Sequence, residues 1–152
     1  MRKIIYTRLD GGLSVVHPVL NTRGEVPGFT EADAEARAWA KLPANAINPR
    51  WADDTEVPSD RTFRNAWEDS GVVSVNMTKA RELHRTRLRE LRKPRMESLD
   101  VAFMRALEIG DEVAKAAIIL QKQVLRDVTA DPAIETARTP EELKTVLPDA
   151  VK

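Results

Sequence analysis

The sequence predicts an α+β fold: a small N-terminal β-hairpin head of ββα type, then a long antiparallel helical hairpin, then a short C-terminal helix. Three observations carry this reading. Two β-rich runs, Lys3 to Arg8 and Leu13 to His17, flank the turn residues Asp10-Gly11-Gly12. Apolar residues recur at helical spacing from Met77 to Ile109. Gly110-Asp111 then offers a C-terminal glycine and an N-cap side by side, so the chain can reverse into a second apolar-striped segment ending near Asp127. The predicted organisation is a head over residues 1–75, a helical hairpin over 76–128 and a C-terminal tail with a short helix over 129–152.

The hairpin follows from β-branched residues on both sides of a turn where glycine supplies positive φ. Pro18, Asn21, Gly24, Pro27 and Gly28 mark a loop. Thr30-Glu31-Ala32-Asp33 opens a helix, because a threonine hydroxyl accepts from free backbone N–H groups and acids suit the positive end of the helix dipole. That helix is predicted to reach Leu42, before Pro43. Ala46 to Trp51 reads as a third strand, which Pro49 confines to an edge or interrupts.

Asp53-Asp54-Thr55-Glu56-Val57-Pro58-Ser59-Asp60 is an acidic connector. The next residues read as a short helical turn capped by Ser59 or Asp60, with Phe63 and Trp67 four apart on one face. Two large aromatics on one turn are predicted to anchor something, and with Trp51 they form the expected partner-docking set. Val72 to Val75 is a short extended lead-in, and Asn76 or Thr78 is expected to cap the long helix.

Pro94 interrupts that helix on paper: it lacks a backbone donor and crowds the carbonyl four residues earlier, at ~3 kcal/mol in a helix interior, so a kink or break is expected. Uninterrupted, Met77 to Ile109 would span ~50 Å, and the second helix only ~25 Å. The excess length is expected to pack on the head or another subunit. On the second helix, Val113, Ala116, Ala117, Leu120, Val124 and Leu125 form the expected stripe, with Ile118 and Ile119 beside it. Met96, Leu99, Phe103, Leu107, Val113, Leu120 and Val124 are the predicted seam, either inside the hairpin or as a coiled coil between copies. The half after Pro94 is expected to hold the hairpin seam, and the half before it to form a contact surface. Finally, Thr139-Pro140-Glu141-Glu142 signals a last short helix in which Thr139 caps and Glu142 bonds back to the cap.

Composition narrows the chemistry. The chain has 152 residues, 42% hydrophobic and 32% charged, and is neither membranous nor disordered in character. It contains no cysteine, which excludes disulfides, thiolate metal sites and a cysteine nucleophile. No run approaches the ~18 apolar residues of a membrane span, and Met1 to Tyr6 turns polar too early for a secretory leader, so synthesis inside the cell is expected. His17 and His84 lack the setting of a metal ligand or general base: one ends a strand and the other sits among arginines. Asp53 to Glu56 lacks the positional pattern of a calcium loop and reads as solvated. Asp10-Gly11-Gly12 precedes no helix that would hold a phosphate. No cofactor, metal or catalytic residue is predicted, and a non-enzyme is expected.

Charge is unevenly spread. Lys79 to Arg95 holds eight basic residues against Glu82 and Glu90, so in a chain of net charge zero the remainder carries −6. Arg81, Arg85, Arg89 and Arg92 fall near one helical face. Three readings fit: ion pairs within or between subunits, phosphate neutralisation on a nucleic acid, or a solvated face. No aromatic residue interleaves the run and no reading module surrounds it, which weighs against nucleic acid.

Four segments together resemble a known group: Pro58 to Trp67, Met77 to His84, Leu99 to Ala106 and Lys122 to Asp127. They are similar to small proteins encoded among the tail and tail-fibre genes of tailed bacteriophages and prophages. The similarity runs from the Lys3-Ile4-Ile5-Tyr6 hairpin to Thr139-Pro140-Glu141-Glu142-Leu143. The resemblance implies a non-enzymatic virion structural protein, a tail or tail-fibre attachment component that oligomerises and docks on other tail or fibre proteins. It implies residence in the host cytoplasm during assembly and then in the virion tail. The alternatives are a tail assembly chaperone that leaves the particle, or a nucleic-acid-binding packaging or regulatory protein using the basic helix.

Overall fold

The structure, a computed structural model, describes residues 1–20 and 27–152, so Asn21 and Gly24 of the expected loop lie outside the described residues. The architecture is α+β. It divides into two compact units, Met1–Asn76 and Met77–Lys152.

In the first unit, β1 (Lys3–Thr7) and β2 (Leu13–Val16) form the expected antiparallel hairpin, with Ile5 opposite Val15. Gly11 adopts φ 75° in the turn, a conformation that glycine takes without Cβ strain. β3 (Ile47–Ala52) pairs antiparallel on the other side of β1, giving the order β2-β1-β3. Pro49 is therefore on an edge strand, and the register shifts between Ile5 and Thr7, opposite a stretch where Asn48 takes φ 48°. The bulge absorbs the missing proline donor.

Alternation along β1 sends Ile4 and Ile5 to opposite faces, and both are fully buried. On the Ile4 face, its cross-strand partner Trp51 stacks on Trp39 of α1 (Glu31–Ala40), with ring centroids 5.2 Å apart. Thr30 caps α1 as expected: its Oγ1 accepts from the Asp33 N–H, and the Asp33 carboxylate accepts from the Thr30 N–H at 2.8 Å. On the Ile5 face lies a cluster of Ile5, Leu13, Ala52, Trp67 and Val73.

Burial corrects the expectation for Phe63 and Trp67, and for Trp67 that cluster is the reason. A 3₁₀ turn covers only Arg64–Ala66, and Trp67 already belongs to β4 (Trp67–Asp69), which pairs with β5 (Val73–Val75) as a second hairpin. Neither Ser59 nor Asp60 caps this turn, which begins after Phe63 with no side-chain cap; Asp60 instead accepts from the Thr62 N–H at 2.9 Å in the segment before it. The two aromatics do not share one helical face. At 4% and 2% exposure they are interior packing and unable to dock a partner.

The second unit is helical: α2 (Met77–Glu108), α3 (Glu112–Asp127), α4 (Pro132–Thr136) and α5 (Pro140–Thr145), with a 3₁₀ turn at Asp149–Val151. α2 runs through Pro94 without the expected break. Arginines on either side of the proline hold the helix to neighbouring chain: Arg92 Nη1 donates to the Leu125 and Arg126 carbonyls, both at 2.9 Å, and Arg95 donates to the Ala150 and Lys152 carbonyls. α2 and α3 pack together after the reversal at Gly110, whose φ is 70°, and the Asp111 side chain caps α3 by accepting from the Ala114 N–H.

Residues 129–152 are part of this unit and not a separate tail. Ile134, Ala137, Leu143 and Val151 are buried, and Arg81 ties α2 to the Ile134 and Ala137 carbonyls at 3.1 and 3.0 Å. Thr139 caps α5 by accepting from the Glu142 N–H, while the Glu142 carboxylate reaches past the cap to the Arg138 N–H at 2.7 Å.

Candidate assembly surface

α3 carries apolar residues on more than one face, and only one face can meet α2. Ile118 and Leu125, seven apart, are buried, and between them the Lys122 ammonium pairs with Asp100 and sits 5.2 Å from the Phe103 ring centroid. This face packs on α2. The opposite face holds Val113, Ala117, Leu120 and Val124, at successive steps of four, three and four. Of the two readings of the seam, the one inside the hairpin does not hold for Val113, Leu120 and Val124, which are 82%, 68% and 57% exposed. For them the reading as a seam between copies is the one that stays open. Of the α2 residues in the predicted seam, Met96, Leu99 and Phe103 are half-buried, whereas Leu107 is exposed.

Ala114, Ala116, Gln121 and Gln123 border the exposed stripe along its length, and the Asp127 carboxylate borders its C-terminal end. At its C-terminal end the stripe borders an open groove of about 400 Å³ lined by Arg95, Leu99, Val124, Leu125 and Ala150 among others. Four exposed apolar positions in heptad register are the pattern by which one helix recognises another. Sequence reasoning found these residues and left both facings open. The spacing is the same for either face, and the signal that separates them is Lys122, whose stem and charge are matched by Phe103 and Asp100 on α2.

The basic residues are mostly committed within the second unit. Arg81 and Arg92 donate to main-chain carbonyls, and Arg85 is ion-paired with Glu82 and Glu135. Arg89 is exposed. His84 is buried on α2, with Nε2 donating to the Val146 carbonyl at 2.7 Å. Burial is the main cause that lowers its pKa from 6.5, and the charge of Arg87 adds to it.

In the first unit, the third predicted docking residue, Trp51, is half-buried between two partners. The Trp39 ring lies on it, and the Arg2 guanidinium sits 4.7 Å from a Trp51 ring centroid. Arg2 in turn donates to Glu35 of α1 at 2.6 Å. Trp39, which sequence reasoning did not single out, is the more exposed ring. His17 lines a cleft with Lys3, Asp54, Ser59, Arg61 and Trp67, and its pKa is lowered by burial first, then by Lys3 and Arg61. Lys3 is already bonded to Asp54 at 2.6 Å.

Among the described residues, no group of three or more His, Cys, Asp or Glu side chains could hold a metal ion. No described helix is long and apolar enough to cross a membrane. No protein-family model, curated protein or solved structure matches this chain.

Proposed function

We propose that this protein is a non-enzymatic structural component that works by self-association and protein docking, as part of a phage tail or tail-fibre assembly. The observation that carries the first half is the exposed stripe of Val113, Ala117, Leu120 and Val124 on α3. Large apolar side chains in a continuous row facing water mark an interaction surface, because burying them on a partner recovers the hydrophobic free energy the isolated chain forgoes. The tail or tail-fibre placement rests on the resemblance of the segments Pro58 to Trp67, Met77 to His84, Leu99 to Ala106 and Lys122 to Asp127. A nucleic-acid role draws less support, since Arg81, Arg85 and Arg92 already have partners within their own unit.

Light scattering on size-exclusion eluates, run over a range of concentrations, tests the self-association. The wild-type chain is expected above monomer mass, and Leu120→Lys with Val124→Lys is expected to return it to monomer while leaving the far-ultraviolet circular dichroism unchanged. A wild-type chain that stays monomeric at high micromolar concentration overturns it. Mass spectrometry of purified virions tests the placement: the chain is expected in the particle, and its absence there points to an assembly factor.

A further inference from the structure

We infer that the cleft bounded by the β1–β2 hairpin, the acidic connector and Trp67 of β4 is a binding site for a small apolar monocarboxylate. The cleft belongs wholly to the first unit and stands apart from the self-association reading.

One wall of the cleft carries an unserved donor. Trp67 is 2% exposed, and its indole Nε1–H is buried without an acceptor. A buried N–H left unpaired works against the fold, so where the chain offers no partner a water or a ligand supplies one. The ring's neighbours in the core are the side chains of Ile5, Leu13, Ala52 and Val73, none of which holds an acceptor. The same ring lines this cleft, which at about 330 Å³ falls within the roughly 300–1,000 Å³ of small-molecule sites. An acceptor for the indole therefore has to come from the cleft.

Charge selects the kind of acceptor. Lys3 is bonded to Asp54 at 2.6 Å, so these two lining charges offset each other. Arg61 is exposed, and among the described residues its guanidinium makes no hydrogen bond or ion pair. His17, also on the wall, has its pKa held below 6.5 by burial, Lys3 and Arg61, and adds no charge at neutral pH. One positive charge is left unmatched. A monoanion balances it, whereas a dianion would leave the cleft with an excess of negative charge.

The remaining lining selects the body of the ligand. Val15, Val57 and Pro58 line the cleft beside the Trp67 ring, and both valines pack on the Ile5 cluster, so this apolar wall is anchored in the core. Water can serve the indole, but it neither matches Arg61 nor covers the valines. Inorganic phosphate matches the charge and leaves the wall bare. A carboxylate on an apolar body supplies the acceptor, the single charge and the covering surface together.

The test is a titration of the full chain with benzoate at neutral pH, followed by the indole N–H signals in proton–nitrogen correlation spectra. The three tryptophans give three signals, assigned from triple-resonance spectra. Benzoate is expected to bind saturably at about 1 mM or tighter and to shift the Trp67 signal most. Benzamide, of the same shape but neutral, and inorganic phosphate are each expected to bind at least about tenfold more weakly. Arg61→Gln, at an exposed position, is expected to weaken benzoate about tenfold, and Arg64→Gln, exposed but outside the cleft, to leave it unchanged.

A Trp67 signal unmoved at about 20 mM benzoate, with the chain folded by circular dichroism, overturns the site. Benzamide binding as tightly as benzoate, or Arg61→Gln binding benzoate as tightly as wild type, overturns the role of charge. Phosphate that binds as tightly as benzoate and displaces it overturns the assignment to an apolar acid. Light scattering on the same samples reads self-association separately, so failure of either reading is visible without the other.

Discussion

Arg50 and Asp69 are joined by two hydrogen bonds, Nε to Oδ2 at 2.8 Å and Nη2 to Oδ1 at 3.0 Å. The pair connects the edge strand β3 to β4 of the second hairpin. The free Nη1 donates to Glu56 at 2.8 Å, so one guanidinium also fixes the acidic connector between them. Only arginine presents donors in this forked geometry. The connector that reads as a solvated acidic loop is therefore partly a structural strut.

Asp69→Asn is expected to lower the stability of the first unit by about 2 kcal/mol, since it replaces two charge-assisted bonds and leaves the guanidinium half-served. Arg50 holds the Asp69 carboxyl below its ordinary value of 3.8. The folded form thus binds its proton later than the unfolded chain, and the contribution is complete above 3.8 and lost as pH falls through and below it. Urea denaturation at about pH 6 and about pH 3 checks this: the gap between wild type and variant should shrink in acid. An equal gap at both pH values would show that the pair contributes nothing through ionisation.

Much of the architecture was legible in the chain because its signals are local. Thr30, Asp111 and Thr139 announce helix starts through their own hydroxyl or carboxylate, and Gly11 and Gly110 announce reversals through their φ angles. Pro49 placed its strand at an edge for the same reason. What was not legible depended on long-range choice. β4 is only Trp67-Glu68-Asp69, too short to show a period, and its pairing with β5 decides that Trp67 faces inward. Likewise, α3 offers two apolar faces, and the sequence does not say which one α2 takes. The face selected by Lys122 with Asp100 left Val113, Leu120 and Val124 outside, which removes the hairpin reading of their seam and leaves them as the candidate assembly surface.

His84 supplies a pH signature for the second unit. It is buried against the Val146 carbonyl, and burial pushes its pKa below 6.5. Below that value the unfolded chain takes up a proton that the folded chain resists, so stability is full above about pH 6.5 and falls as pH drops toward the lower folded value. Denaturation midpoints at about pH 7.5 and about pH 5.5 are expected to show the loss for wild type. His84→Gln, which keeps a donor for Val146 but cannot titrate, should show a smaller loss over the same interval. Identical pH dependence in both chains would assign the effect to other groups.

Pro94 sits exposed inside a helix that continues on both sides of it. The ring removes the donor to the Glu90 carbonyl, and an interior proline is worth ~3 kcal/mol against the helix. The helix persists because Leu88 is fully buried on one side and Arg92 and Arg95 hold four carbonyls of neighbouring segments around it. Those contacts lie on the packed face, whereas Pro94 does not, so replacing it should recover the lost bond without disturbing them. Proline also restricts the unfolded chain, which offsets about 1 kcal/mol of the gain. Pro94→Ala is therefore expected to stabilise the second unit by about 2 kcal/mol and raise its unfolding midpoint in urea. A lowered midpoint would mean that the arginine contacts need the backbone shape the proline imposes, and that the ring is part of how α2 meets the C-terminal segment.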